Sequence, residues 1–312
     1  MSARLATTVL GTAIAVTLMT APPQGQATLR AQLVGHWRLV STEQVRDGTP
    51  VAAPDAVPSG TIVYTTDGRM QAQLTTVVRP RVRPADASAD QARAIARYTA
   101  YFGTFTVDEA ARSVTHHRDG SFAPGERDFV RSIALAGQRL VLTTPTTMVE
   151  GTPRFTRITW ERLPAADVAA SFSAEARRAV AGTWELVEHQ TTLPDGEVRR
   201  NFGPMPKGVF VFHPDGHTAV QIVNPDRPAA PLDRASDDEV RALERTYLAY
   251  FGSFDVDPAT KKIVVHTTSD LNPMNSGTDQ VRYYEMDGDL MYLRPAAAAG
   301  APASRITWRR VK

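Results

Sequence analysis

An internal repeat constrains this chain more than any other feature, because it sets the number of folding units before residue-level reasoning begins. Leu33–Val40 matches Val180–Val187 around a shared Gly-x-Trp. Tyr98–Phe105 matches Tyr247–Phe254, and Arg157–Trp160 matches Arg305–Trp308. The matches keep the same order in both halves. This is the duplication of a domain-sized unit, not a solenoid of small repeats. The units run over residues 30–163 and 176–312, joined by a linker at 164–175. Ala174–Val180 reads as a short helix leading into the second unit. With 312 residues in all, each unit is long enough to bury a core without staples.

The chain has no cysteine. That excludes disulfides, thiolate metal sites and cysteine nucleophiles, and also a lipoprotein anchor. The net charge is +2, and no Lys/Arg run is interleaved with aromatics, so nucleic-acid binding has little support. There is no Gly-rich phosphate loop followed by Lys-Ser/Thr and no Gly-x-Ser-x-Gly elbow. Residues 1–27 read as a signal peptide: Arg4, an apolar run over Leu5–Ala21, Pro22-Pro23, and a small-x-small site ending at Ala27. The expectation is an exported protein, periplasmic or secreted, starting near Thr28. No later segment approaches the ~20 apolar residues of a membrane span.

Within each unit, runs rich in Val, Ile, Thr and aromatics alternate with turn signals. Asp67-Gly68, Asp215-Gly216 and Asp287-Gly288 sit between apolar runs and suit type I′ hairpins. About eight short strands per unit fit an antiparallel sandwich or a closed barrel. One amphipathic helix interrupts each unit. Ser88 with Gln91, and Ser236 with Glu239, have capping-box spacing. Ile95, Tyr98 and Phe102, like Val240, Leu243, Tyr247 and Phe251, then recur at helical spacing. This places Tyr98, Tyr101, Tyr247 and Tyr250 on the helices, with Gly103 and Gly252 marking the exit into the next strand.

Gly35-His36-Trp37 and Gly182-Thr183-Trp184, the Tyr-Phe-Gly-Thr/Ser-Phe-x-Val-Asp runs, the stretch from His266 through Arg282 and the closing Arg-Ile-Thr-Trp resemble the bacterial lipocalin-like domain family, within the wider calycin group. The resemblance covers nearly all of both units. It implies an all-β fold: two tandem eight-stranded antiparallel barrels, each with one inserted helix. Related barrels bind lipophilic molecules, and some catalyse isomerisation or cyclisation without a cofactor. The first unit departs from the pattern, because Pro124-Gly125-Glu126 replaces the Pro273–Thr278 loop and is shorter by two residues.

Ten side chains are candidates for ligand binding. Arg131 and Arg282 share strand faces with apolar residues, Phe129 and Ile133 in one unit and Tyr284 and Met286 in the other. Such an arginine either grips a ligand carboxylate or carbonyl, or pairs internally with Glu43 or Glu188, or stacks on the first-strand Trp. His117 and His266 align at a strand end, as a base, a ligand or a hydrogen-bonded structural histidine; His116 points to the opposite face. Tyr98, Tyr101, Tyr247 and Tyr250 either close a pocket with their hydroxyls or fill the core. Gln73 and Gln221 line a polar patch of the lumen or face solvent. Trp37, Trp160, Trp184 and Trp308 read as structural. No metal or cofactor is implied. The functional expectation is a binder of a small lipophilic or aromatic-acid molecule. A cofactor-independent isomerase, cyclase or hydratase is the alternative, and a filled, purely structural barrel is the third.

Overall fold

The computed structural model describes residues 27–51, 57–167, 172–227, 231–296 and 302–312; the expected signal peptide lies outside them, apart from Ala27. The first unit consists of helix α1 (Leu29–Leu33), strands β1 (Gly35–Arg46), β2 (Thr49–Val51), β3 (Ser59–Tyr64) and β4 (Arg69–Thr75), helix α2 (Ala89–Ile95), and strands β5 (Thr99–Asp108), β6 (Ser113–Ser121), β7 (Asp128–Ala136), β8 (Arg139–Thr143), β9 (Thr147–Val149) and β10 (Thr152–Arg162). The second repeats the plan: α3 (Ala174–Val180), β11 (Gly182–Thr192), β12 (Val198–Arg200), β13 (Lys207–Phe212), β14 (His217–Val223), α4 (Asp237–Arg245), β15 (Tyr247–Asp257), β16 (Lys262–Asp270), β17 (Asp279–Asp287), β18 (Leu290–Pro295) and β19 (Ala303–Arg310). Strand β1 pairs with β10, and β11 with β19, so each sheet closes into an eight-stranded antiparallel barrel. Strands β2, β9 and β12 extend the rims.

The Gly-x-Trp strand closes one end of each barrel. The Trp37 indole donates to the Leu33 carbonyl at 2.8 Å, at the end of α1, and the Trp184 indole donates to the Val180 carbonyl at 3.1 Å, at the end of α3. Arg162 and Arg310 each lie 4.2 Å over the corresponding Trp ring and donate to the carbonyl of the residue that follows the same helix, Val34 or Ala181. The guanidinium fills the space a Cβ would need at Gly35 or Gly182, 2.2 and 2.6 Å away, and both glycines take positive φ. The signature therefore encodes a cap: a helix end, an indole, and a cation over its face.

Two local expectations are corrected. The helices end at Ile95 and Arg245. Tyr98 follows the first, and Tyr101, Tyr247 and Tyr250 lie on strands β5 and β15. Gly103 and Gly252 sit inside those strands at β-bulges, where a Cβ would meet the His117 or His266 carbonyl at 1.9 or 2.0 Å. Apolar spacing alone cannot separate a helix from a strand buried on both faces. The three Asp-Gly turns have positive φ only at the glycine, so they are not type I′; that pattern falls on Asp47-Gly48.

The barrels pack back to back through the outer faces of β3–β5 and β13–β15, with α2 and α4 at the margin. The seam follows a pseudo-two-fold. Gln73 Nε2 donates to the Val220 and Tyr250 carbonyls at 3.2 and 3.1 Å; Gln221 Nε2 donates to Ala72 and Tyr101 at 3.3 and 3.0 Å. Tyr98 and Tyr247 donate to the amide oxygens of these same glutamines. Arg79 reaches the Asp270 and Leu271 carbonyls, and Arg227 reaches those of Ser121 and Phe122. Equivalent residues contact equivalent residues, as in an isologous dimer, but within one chain.

Each lumen has its own core. In barrel 2 it is apolar, with Phe210, Phe212, Phe254, Val265 and Trp308. In barrel 1 the positions of Phe212 and Val265 hold Tyr64 and His116. Tyr64 hydroxyl lies 2.7 Å from Nε2 of His116, and Tyr101 hydroxyl lies 3.0 Å from Nδ1. Burial holds this imidazole at about 3, and holds His36 at about 3 as well.

Two predictions follow from this packing. Gln221→Leu leaves the Ala72 and Tyr101 carbonyls and the Tyr247 hydroxyl without their partner, and is expected to cost about 2–4 kcal/mol in urea unfolding. The buried histidines make stability pH-dependent. Their folded pKa values lie below the unfolded value of about 6.5, so the unfolded chain takes up more protons as pH falls, and stability declines from about pH 6.5 toward 3. The slope approaches about 1.4 kcal/mol per pH unit for each such imidazole. Urea midpoints at pH 7 and pH 5 are expected to differ less in a Tyr64→Phe/His116→Val variant than in the parent; equal differences would rule out a buried neutral His116.

Candidate ligand-binding site

Strand β7 alternates Phe129, Arg131 and Ile133 onto the inner face, where Arg131 stands opposite the core residue Val114 and Ile133 joins the core. Below Phe129 the barrel is packed: Trp37, Tyr64, Tyr101, Phe105 and Trp160 fill it. Above Phe129, at the end opposite the tryptophan cap, the barrel opens into a cavity of about 490 Å³. Its wall brings together Val45 and Arg46 of β1, Phe129 and Arg131 of β7, and Arg154 and Phe155 of β10.

The cavity wall is apolar with an excess of positive charge. It holds Arg46, Arg131 and Arg154 against a single carboxylate, Glu126. Among the described residues none of the three arginines forms an ion pair. Arg131 donates only to the adjacent Val130 carbonyl, at 2.7 Å. Arg154 Nε is buried without a hydrogen-bond partner. The Phe129 ring carries Arg118 at 4.1 Å and Arg131 at 4.8 Å from its centroid, and meets Tyr101 edge-on at 5.4 Å. Cation–π contact steadies these guanidiniums while leaving donors available.

Barrel 2 treats the same positions differently. Arg282 also points inward, opposite Ile263, but donates to the Val281 carbonyl at 2.9 Å and to Gln280 Oε1 at 3.4 Å. Gln280 stands where barrel 1 has Phe129. Phe202, on the segment between β12 and β13, is 7% exposed. It joins the barrel core and stacks on His189 with centroids 5.4 Å apart. In the first unit the sequence between Thr49 and Ser59 contains no aromatic residue.

The other candidates lie elsewhere. His117 is on the outer surface, between Thr106 at 3.0 Å and Asp128 at 3.1 Å. His266 is likewise outside, between Asp279 at 2.8 Å and Asp255 at 3.2 Å. Partial burial lowers its pKa, but the hydrogen bonds to the two carboxylates outweigh this and raise it. Gln73, Gln221, Tyr98 and Tyr247 belong to the seam and satisfy one another there. Tyr101 and Tyr250 lie in the two lumens. The expected internal partners of Arg131 and Arg282 are also corrected: Glu43 pairs with Arg157 at 3.1 Å, and the arginines over the first-strand tryptophans are Arg162 and Arg310.

Sequence reasoning missed Arg118, Arg154, His116 and Phe202. Strand alternation already set His116 opposite His117; choosing the inner face would have found it. A general base near neutral pH needs a free nitrogen and a pKa close to 7. His116 has both nitrogens engaged and a pKa held near 3. Among the described residues no three His, Asp or Glu side chains are placed to hold a metal. The chemistry this wall supports best is recognition of an anion beside apolar surface.

The model of the lipocalin-like domain family matches residues 34–163 and again 181–311. No curated protein matches the chain in sequence. Among solved structures, a protein of unknown function from the DUF3598 family of Nostoc punctiforme shares 10% identity at a TM-score of 0.24, over 90% of this chain and 97% of that one. A candidate outer membrane protein of Bacteroides fragilis shares 10% identity at a TM-score of 0.23, over 92% and 100%. At those scores neither likeness informs function. With two closed barrels, a capped Gly-x-Trp strand in each, and two family matches spanning most of its length, this protein belongs to the lipocalin-like domain family.

Proposed function

We propose that the first barrel binds a small amphipathic organic anion, an aromatic or alkyl carboxylate, at its open end. The observation that carries this reading is a pair of arginines, Arg131 and Arg154, facing a largely apolar cavity and ion-paired with no carboxylate, the lining Glu126 included. A cation at an apolar wall is costly unless an anion joins it. The apolar body of the ligand rests on Phe129, Val45 and Phe155, and its carboxylate takes the free donors of Arg131 and Arg154. The second barrel, closed by Phe202, acts as the scaffold that holds the first.

Export is part of this proposal. It rests on the apolar run at Leu5–Ala21 followed by Pro22-Pro23. No helix of the described residues is long and apolar enough to cross a membrane.

The reading is tested by native mass spectrometry of the protein made with its leader, followed by titration with a fluorescent aromatic carboxylate. One carboxylate per chain is expected. Arg131→Met is expected to weaken binding by about tenfold or more, since a charge-assisted hydrogen bond is worth about 1.5–3 kcal/mol. Arg282→Met is expected to leave binding unchanged. Equal affinity in Arg131→Met and the parent would overturn the anion reading.

A further inference from the structure

A second cavity, of about 280 Å³, lies where the two barrels meet, under the turn from β6 to β7. Arg118, Arg127 and Arg227 line it against one carboxylate, Asp119. Asp119 is already engaged by Arg69 at 3.2 Å. Among the described residues none of the three lining arginines forms an ion pair.

Two of these cations are substantially buried. Arg118 is 9% exposed. Its Nη1 donates to Ser121 Oγ at 3.0 Å, and its Nε is buried with no partner at all. Arg227 arrives from the second barrel and donates to the Ser121 and Phe122 carbonyls. Burial lowers the pKa of Arg118, and lowers that of Arg227 to about 10. Arg127 is exposed and stands free at the rim. Buried like charges without an ion-pair partner are expensive, so this corner favours the approach of an anion.

In the duplicate the same corner carries a carboxylate of its own. Asp270 occupies the place of Ser121, and Thr267 that of Arg118. The Asp270 carboxylate accepts from the Asn272 backbone N–H at 2.8 Å and from Asn275 Nδ2 at 3.0 Å, and the longer turn around Pro273–Asn275 folds over it. The first unit has Ser121 in place of the carboxylate, a turn shorter by two residues, and Arg118 in place of Thr267.

We propose that this cavity is an oxyanion site whose ligand is a phosphate group, either free or as a small monoester. Three guanidiniums arriving from three segments supply forked donors to a dianion with several acceptor oxygens. The volume has room for a phosphate or a small monoester. The site is separate from the mouth of barrel 1 and does not depend on what binds there.

The test uses the full chain, with inorganic phosphate and methyl phosphate compared against chloride at equal ionic strength. Thermal unfolding and calorimetric titration are the readouts. Phosphate is expected to raise the Tm of the parent where chloride does not. Ser121→Asp, which restores the carboxylate of the second unit, is expected to raise the Tm in chloride and to abolish the phosphate response. Arg127→Gln, at an exposed side chain, is expected to weaken phosphate binding about tenfold without changing the Tm in chloride. Tighter binding of methyl phosphate than of phosphate identifies an ester as the ligand; the reverse identifies the free anion. A parent that responds to phosphate no more than to chloride, or a response that survives in both variants, overturns the site.

Discussion

The reciprocal exchange of glutamine amides across the seam is the interaction on which the rest of this molecule depends. A closed barrel has no free sheet edge, so two barrels can associate only through side chains on their outer faces. Gln73 and Gln221 reach the backbone of the opposite barrel, and Tyr98 and Tyr247 complete their hydrogen bonds. Both glutamine side chains thus have partners for their amide nitrogen and oxygen, so the apolar residues around them are buried without leaving those amides unpaired. That in turn lets β3–β5 and β13–β15 be buried on both faces. With their backs joined, the barrels leave the open end of the first clear of the seam.

Duplication allowed the halves to divide the work. Both keep the cap of helix end, indole and guanidinium, which closes one end of each barrel. They differ at the other end and in the lumen. The second barrel is packed with phenyl rings, takes Phe202 into its core and ties Arg282 to Gln280. The first buries a Tyr64–His116–Tyr101 chain and presents Arg131 over Phe129 to a cavity. Buried hydrogen-bonded networks of this kind specify a unique packing at some expense in stability, an expense the more apolar core of the second barrel and the seam can absorb.

Charge is distributed by the same logic. In the second unit the most enclosed ion pair joins Arg177 to Asp255 at 2.6 Å, with the carboxylate shared by His266. The first unit leaves arginines unpaired in two places, the barrel mouth and the junction cavity, with Arg118 between them on the Phe129 ring. Unpaired cations are exceptions to the economy of the fold, and it is such exceptions that mark sites.

Much of this architecture was legible before the structure. The repeat established two units, the period-two pattern with turn signals established antiparallel strands, and the Gly-x-Trp set pointed to the family. Strand alternation also showed that Arg131 shares a face with Phe129 and Ile133. What the pattern could not show was which face is inside, because β13 and β14 are buried on nearly every residue and alternation disappears there. For the same reason the tyrosines after each capping box read as helical when they lie on strands. Local sequence determined the elements and their order, since backbone propensity and turn chemistry act over a few residues. Only the tertiary structure decided that Gln73 and Gln221 bridge two barrels, that His116 rather than His117 is enclosed, and that certain arginines lack partners, because each of these is a meeting of residues distant along the chain.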